Sequence, residues 1–310
     1  MKILEEYGIK RGLGKGFRTF LWLLKVMVPV SLIVAVMEWS GLLAYVEFAL
    51  RPLMSLLSLP PEAALPIIAG LTVGPGASIA AMVVLPLTQD QMTLMAIFIL
   101  IAHGFPQESV IQGKAGFNPI KASVIRLVAA VLTVMAVAPF LDLTPMAGAG
   151  AAALSKETQT FQAMIMDWLG EMAHLALFLL TIVMVLMSVL EAIRTKGWID
   201  HVVRFLSPVL RALGLNPQAG VLWVAAAFFG LGFGSAVLVE EANSGRISQE
   251  DLETLHISIG INHGMFDDPS LFLSLGLNPF WIYVPRLLMA ILAVRLLTLW
   301  RMVRRRMSAA

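Results

Sequence analysis

The chain has 310 residues, of which 58% are hydrophobic and only 14% are charged, and its mean hydropathy is +0.84. Soluble domains are nearer half apolar and a quarter charged, so part of this surface must face lipid. The net charge of +2 is too small to indicate a nucleic-acid partner, and a chain without cysteine forms no disulfide and no thiolate metal site. We therefore expect an all-α integral membrane protein.

The first apolar segment is predicted to be a membrane span. Residues 1–18 are polar and basic, and an apolar run covers 20–36. A signal peptide begins in the same way, but this run is longer than a signal core and Met37-Glu38-Trp39-Ser40 is a poor cleavage context.

The first half of the chain contains five predicted elements. A long apolar helix is followed by a shorter amphipathic helix that we expect along the membrane interface. A second apolar helix with glycines in its middle, an interrupted segment and a final apolar helix complete the half. These elements cover residues 19–43, 45–58, 62–86, 91–117 and 119–141 in turn.

The interrupted segment is predicted to be a re-entrant hairpin. About 11 apolar residues precede His103-Gly104-Phe105-Pro106, which is roughly half of what a bilayer requires. Irregular backbone at membrane depth is tolerated only against protein or a water-filled cavity. If the segment instead spans fully, each half has four spans and the two halves run parallel.

The second half repeats the first. Residues 87–127 and 247–287 are identical at 12 of 41 positions, at a constant offset of 160. Repeats of this kind are the usual architecture of secondary transporters. We predict repeat one at 1–145, an external linker at 146–162 and repeat two at 163–310. The corresponding elements of repeat two are expected at 164–193, 198–213, 218–240, 251–277 and 279–300.

The distribution of Lys and Arg predicts the orientation. With a cytoplasmic N-terminus, and three spans plus one hairpin per repeat, 18 of the 22 basic residues lie inside. The four outside are Arg51, Lys156, Arg246 and Arg286. An odd number of spans per repeat makes the repeats inverted, with both termini in the cytoplasm.

The candidate site lies at the two interruptions, which an inverted repeat brings together near the midplane. A charge at the bilayer centre costs roughly 2.5–3.5 kcal/mol, so acidic residues there indicate a use. Histidine can carry a coupling proton, and histidine with carboxylate can hold a divalent metal. The alternative is that each His caps a broken helix and the acids are solvated. The candidate residues are His103, Gln107 and Glu108, with Asn262, His263, Asp267 and Asp268.

Other matched residues have a structural and a functional interpretation. Glycines in the second apolar helix of each repeat allow either helix unwinding or tight packing, and we name them gate glycines: Gly74, Gly76, Gly230 and Gly232. Asn118-Pro119 and Asn278-Pro279 are typical helix starts. Arg126 and Arg286 are expected to snorkel to the interface, with pairing to a carboxylate as the alternative.

The small-residue sequences at 70–78 (GLTVGPGAS) and 229–235 (FGLGFGS) resemble the nucleoside-recognition, or Gate, domain family of bacterial membrane proteins. That family includes spore-maturation membrane proteins and the permease part of the ferrous-iron transporter, and is similar to concentrative nucleoside transporters. This chain lacks the GTPase domain and the gate cysteine of the iron transporter. The resemblance implies a multi-pass protein of the bacterial inner membrane.

The expected function is a secondary transporter or facilitator of a small polar solute such as a nucleoside. A divalent-cation transporter is the second hypothesis, and a non-transporting partner or gating subunit of another protein is the third. We expect no enzymatic activity and no cofactor, because no nucleophile–His–acid set, metalloprotease motif or dinucleotide fingerprint is present. The expected partners are the lipid bilayer and the solute or cation, and a homodimer is left open.

Overall fold

The structure is a computed structural model that describes residues 41–144, 160–195, 199–216 and 247–309, together with short stretches of 13–40 and 219–227. Every regular element within these ranges is helical. The prediction of an all-α membrane protein is therefore confirmed. In the described part of the chain, three helices are long and apolar enough to cross a membrane, or up to four if a bent pair is one span: Gln89–Lys114, Pro119–Phe140, Pro279–Ser308 and the pair Phe48–Leu56 with Pro61–Thr72.

Among the described residues, six α-helices with defined bounds lie in the predicted repeat one and five in the predicted repeat two. Those of repeat one are α1 (Leu42–Leu56), α2 (Ala64–Thr72), α3 (Pro75–Met82), α4 (Gln89–Ala102), α5 (Phe105–Lys114) and α6 (Pro119–Val137). Those of repeat two are α7 (Phe161–Thr195), α8 (Ile199–Ala212), α9 (Gln249–Asn262), α10 (Asp267–Leu273) and α11 (Pro279–Ala309). Short 3-10 turns precede α2 and follow α6.

Side-chain caps fix where the helices begin. The Thr88 hydroxyl accepts from the Gln91 backbone N–H while the Gln91 side chain accepts from the Thr88 N–H, which forms a capping box at α4. The Asn118 side chain accepts from Lys121 N–H at 3.0 Å, and that of Asn278 accepts from Phe280 N–H at 2.9 Å. The predicted helix starts at these two asparagines are confirmed.

The gate glycines of repeat one break the second apolar helix. Gly74 adopts φ 134° and ψ −177°, a conformation that essentially only glycine reaches, between α2 and α3. Helices α2 and α3 are only nine and eight residues long, yet they pack against each other, which indicates that the chain reverses direction at this break. The helical hairpin of repeat one therefore lies at the glycines.

The expected hairpin at His103-Gly104 is not what forms there. Helices α4 and α5 together run antiparallel to α6 along its whole length. Asp142 N–H donates to Asp90 Oδ2 at 2.8 Å at one end, and Ser109 contacts Ser123 towards the other. A hairpin would have placed both of its ends beside the same end of α6. The 26 residues Gln89–Lys114 are together long and apolar enough to form one span, with a break in its middle.

Repeat two has the same arrangement. Arg301 NH2 donates to Glu250 O at 3.0 Å near the start of α9, and Arg286 NH2 donates to His263 O at 2.9 Å at its end. Helix α9 and its continuation α10 thus run antiparallel to α11, with a break at His263-Gly264. We call the two interrupted pairs, α4 with α5 and α9 with α10, the broken spans.

The two broken spans cross in opposite directions. The start of α9 lies beside the end of α5, where His256 Nε2 donates to Ala115 O at 3.1 Å. At the opposite end, Gly276 lies against the side chain of Gln89. The breaks meet midway between these contacts. We call the two ends of the pair the Lys121 end and the Gln89 end.

Candidate functional site

The centre of the site is a pair of histidines, one from each break. His103 Nε2 lies 3.3 Å from His263 Nε2, and both side chains are buried. Each histidine terminates a helix in extended conformation and is followed by a glycine in the left-handed region, at φ 56° for Gly104 and φ 55° for Gly264. The matched sequence thus folds into matched local structure.

Each imidazole is oriented by a backbone carbonyl of its own helix. His103 Nδ1 lies 2.9 Å from Ile99 O, and His263 Nδ1 lies 2.8 Å from Ile259 O. A carbonyl oxygen only accepts, so Nδ1 carries the hydrogen in both rings. In the neutral rings, the two Nε2 atoms therefore present lone pairs to each other.

Two carboxylates complete the cluster, one from each repeat at the same offset. Glu108 Oε1 lies 3.0 Å from both Nε2 atoms. Asp268 Oδ2 lies 3.4 Å from His103 Nε2. The Asp268 side chain is 25% exposed, against 11% for Glu108, so it is the more accessible of the two acids. We call His103, His263, Glu108 and Asp268 the central cluster.

The two arginines are buried beside this cluster, and the prediction that they snorkel is wrong. Arg126 is 1% exposed and Arg286 is 0% exposed. Arg126 donates to Ile101 O at 2.9 Å and to His103 O at 2.8 Å, and its NH1 pairs with Glu108 Oε2 at 2.6 Å. These bonds satisfy carbonyl groups that the end of α4 leaves unpaired. Arg286 makes the matching bond to His263 O. The alternative prediction, pairing with a carboxylate, holds for Arg126.

The other predicted site residues lie outside the cluster. Gln107 is exposed, and Asp267 begins α10, where its side chain is outside the described residues. Asn262 is buried directly before His263, and its Oδ1 has no hydrogen-bond partner within the described part of the chain. Gly76 is buried in α3. Gly230 and Gly232 also lie outside the described residues.

The hairpin at the glycines supports the His103 break. Gly104 N–H donates to Gly70 O at 3.1 Å, and Met265 N–H donates to Ala227 O at 2.7 Å in repeat two. A Cβ on Gly70 would lie 2.3 Å from Ile99 Cδ1, so any larger residue there would require the buried Ile99 side chain to move. The hairpin of repeat one therefore packs directly on the broken span.

Cavities lie at both ends of the broken spans. At the Gln89 end, a cavity of about 860 Å³ lies between residues 273–276, Val83 and Val84 on one side and Gly170, Glu171 and His174 of α7 on the other. At the Lys121 end, a cavity of about 320 Å³ lies between residues 116–118 and the start of α9. Glu253 pairs there with both Lys121 and Arg301, which bridges the two repeats. Neither cavity is lined by a residue of the central cluster, which lies at the breaks between the two ends.

The cluster has the donor atoms of a candidate cation site. Two lone-pair nitrogens and a carboxylate oxygen lie within 3.0–3.3 Å of one another. Such atoms repel unless a positive charge lies between them, and either a proton or a metal ion provides it. His103, His263 and Asp268 have their ligand atoms within 4.8 Å of one another, so a single ion can contact all three.

The sequence analysis did not identify one buried polar residue near the breaks, Gln112. Gln112 is buried beside Gly260, and neither atom of its amide has a partner within the described residues. Its counterpart at the offset of 160 is Phe272, so the repeat does not mark it. The burial of Arg126 and Arg286 did have a signal, since both are matched between repeats two turns into their helices.

The comparisons with known proteins agree with the resemblance found in the sequence. Residues 20–118 match the Gate family, described as nucleoside recognition. The chain is 28% identical over 301 residues to the uncharacterized membrane protein YvoD of Bacillus subtilis (strain 168), covering 93% of this chain and 92% of that protein. No solved structure gives a significant match.

The Gate match confirms the suspected family for the first third of the chain. It includes His103 and Glu108 and ends before α6, so His263 and Asp268 lie beyond it. The central cluster therefore needs residues from outside the matched segment.

Proposed function

We propose that this protein is a secondary transporter or facilitator of the bacterial inner membrane, built from two inverted repeats, in which a cation binds between the two broken spans. The observation that carries this proposal is the convergence of His103, His263, Glu108 and Asp268 at the point where the two breaks meet. Transporter sites are typically found at such interrupted helices near the midplane.

The antiparallel crossing of the broken spans supports an inverted repeat. Each repeat then contributes three spans and one hairpin, as the sequence predicts, but with the hairpin at the glycines and the span at the histidine. No Lys or Arg lies between Arg51 and Lys114, so this exchange leaves the basic residues of repeat one on the same sides. In repeat two the same exchange places Arg246 on the inside, because it directly precedes α9. Without the two buried arginines, 18 basic residues then lie inside and two outside, which still favours cytoplasmic termini.

The two cavities support alternating access. A solute in the cavity of about 860 Å³ would be separated from the opposite end by the central cluster and by the ion pairs of Glu253. That volume lies in the range of small-molecule sites. The cluster itself is too closely packed for a nucleoside, so a polar solute would occupy the cavity while the cluster takes a coupling cation. In the divalent-cation alternative, the cluster binds the transported ion itself.

The test is uptake into liposomes that contain the purified protein. Labelled nucleosides, nucleobases and divalent cations are supplied outside, with an imposed proton or metal gradient. We expect gradient-dependent uptake of one solute class, its loss in Asp268→Asn, and its retention in His256→Gln, a buried histidine seven residues before the cluster. If no solute enters and no gradient dissipates, the transport proposal is wrong and a partner-protein role gains support.

A further inference from the structure

We infer that the central cluster is a tetrahedral site for a divalent transition-metal ion of the zinc class, with two imidazole nitrogens and two carboxylate oxygens as ligands. This inference rests on the proposed function, because it names the cation that the site takes.

Two distances within the cluster are those expected between the ligands of a single ion. Zinc lies about 2.0–2.1 Å from imidazole nitrogen and about 2.0–2.2 Å from carboxylate oxygen, so the ligand atoms of a tetrahedral site lie about 3.3–3.5 Å apart. The two Nε2 atoms are 3.3 Å apart, and Asp268 Oδ2 is 3.4 Å from that of His103. Glu108 Oε1, at 3.0 Å from both nitrogens, would move outward by a few tenths of an ångström. The Asp268 carboxylate, whose ligand atom lies within 4.8 Å of that of His263, would move towards His263 to complete the tetrahedron.

The surroundings of the imidazoles are those of metal ligands. A metal-binding histidine usually donates its other ring N–H to a carbonyl or carboxylate, which fixes the tautomer that frees the ligating nitrogen. Both histidines do so, through Ile99 O and Ile259 O. Arg126 holds the other oxygen of Glu108, which leaves Oε1 directed at the nitrogens.

The charged side chains around the cluster favour moderate affinity for a metal ion, so that the ion can be released. Glu108 and Asp268 offset the charge of a divalent ion, but Arg126 and Arg286 are buried nearby and oppose it. The arginines also donate to the carbonyls of His103 and His263, and the negative ends of α4 and α9 reduce their effect. Affinity is therefore expected below that of a closed structural zinc site, as transport or coupling requires.

The ligand types select among metals. Imidazole with carboxylate suits zinc, iron, cobalt, nickel or manganese, whereas magnesium and calcium prefer oxygen ligands alone. We expect the site to take Zn²⁺ and Co²⁺ and to exclude Mg²⁺ at equal concentration.

The test is metal binding to the full-length protein in detergent, with Zn²⁺ followed by calorimetry and Co²⁺ followed by visible absorption. Tetrahedral Co²⁺ absorbs far more strongly than octahedral Co²⁺, so the spectrum reports the coordination geometry. We expect one ion per chain, tetrahedral Co²⁺ bands, and an affinity loss of at least about tenfold in Asp268→Asn and His263→Gln, since even outer-shell changes cost about 10–100-fold.

His256→Gln is the matched control and should bind as the unmodified protein does. Asp268→Asn changes the most exposed ligand and keeps its shape, so folding is expected to survive if His263→Gln does not fold. No binding by the unmodified protein, or equal binding by Asp268→Asn and His256→Gln, would overturn the metal site. If the protein binds no metal yet shows proton-driven uptake in liposomes, the transport proposal stands with the proton as its cation.

Discussion

Replacing Arg126 by methionine tests whether the buried arginine ties the two sides of the break together. The variant keeps an apolar side chain of similar length but leaves Glu108 without its 2.6 Å partner and leaves two carbonyls without donors. Removing one partner of a buried ion pair typically costs about 3–5 kcal/mol, because the other charge stays buried and uncompensated.

The expected effect is a clear loss of thermal stability. In a chain of this size, 1 kcal/mol changes the melting temperature by roughly 2 °C, so Arg126→Met is expected to melt about 6–10 °C lower. The seven tryptophans allow unfolding in detergent to be followed by intrinsic fluorescence. Arg51→Met is the control, because Arg51 is exposed on α1 and surface substitutions usually cost less than about 0.5 kcal/mol.

A double variant separates the ion pair from simple loss of packing. Glu108→Gln removes the charge that Arg126→Met leaves unpaired, so the double variant should be more stable than the two single losses predict when added. Contacting residues of this kind show interaction energies of about 0.5–3 kcal/mol. Additive losses, or an Arg126→Met protein that melts within about 1 °C of the unmodified one, would refute the assigned contact.

Three further predictions concern the membrane topology, the glycines at the two breaks and the Glu253 ion pairs. Because the chain has no cysteine, single variants Gln89→Cys and Lys114→Cys can be labelled with a membrane-impermeant thiol reagent. We expect the two variants to be labelled from opposite sides of the membrane. Labelling of both from the same side would support a re-entrant hairpin at His103 instead. Gly104→Ala should cost about 1–2 kcal/mol through its left-handed backbone. Gly264→Ala should cost more and weaken Co²⁺ binding, since its Cβ would lie 2.5 Å from the site carboxylate, and equal melting temperatures would contradict this. Glu253→Gln should change the free energy of unfolding by only about 0–1 kcal/mol. It should raise the uptake rate in liposomes, because the ion pairs that join the two repeats at the Lys121 end are weakened. A slower uptake rate would contradict this role for the Glu253 pairs.

The sequence predicts much of this arrangement because the repeat marks it. A matched His-Gly at one offset locates both breaks, and matched Asn-Pro locates the starts of α6 and α11. The short apolar run before His103 was misleading, because half a span ends either in a hairpin or in a break within a full span. Length alone does not separate these outcomes, and the contacts of Asp90 with Asp142 do.

The arginines show a second limit of sequence-based prediction. A long basic side chain two turns into a membrane helix ordinarily reaches the interface. Arg126 and Arg286 instead face helix ends that only the tertiary fold creates, because the carbonyls of His103 and His263 become free acceptors only once each helix is interrupted. A propensity rule that treats each helix alone contains no such acceptor.

The differences between the two repeats at the central cluster indicate the side from which a cation reaches it. Glu108 reaches both histidines and Arg126, whereas Asp268, shorter by one methylene, contacts His103 and is the more exposed acid. Asp268 also lies at the start of α10, whose far end borders the larger cavity at the Gln89 end. At the Lys121 end, the ion pairs of Glu253 with Lys121 and Arg301 join the two repeats. A cation at the centre thus has more contacts in repeat one than in repeat two. We infer that it enters and leaves past Asp268 in this conformation. Opening the route at the opposite end requires the Glu253 ion pairs to separate.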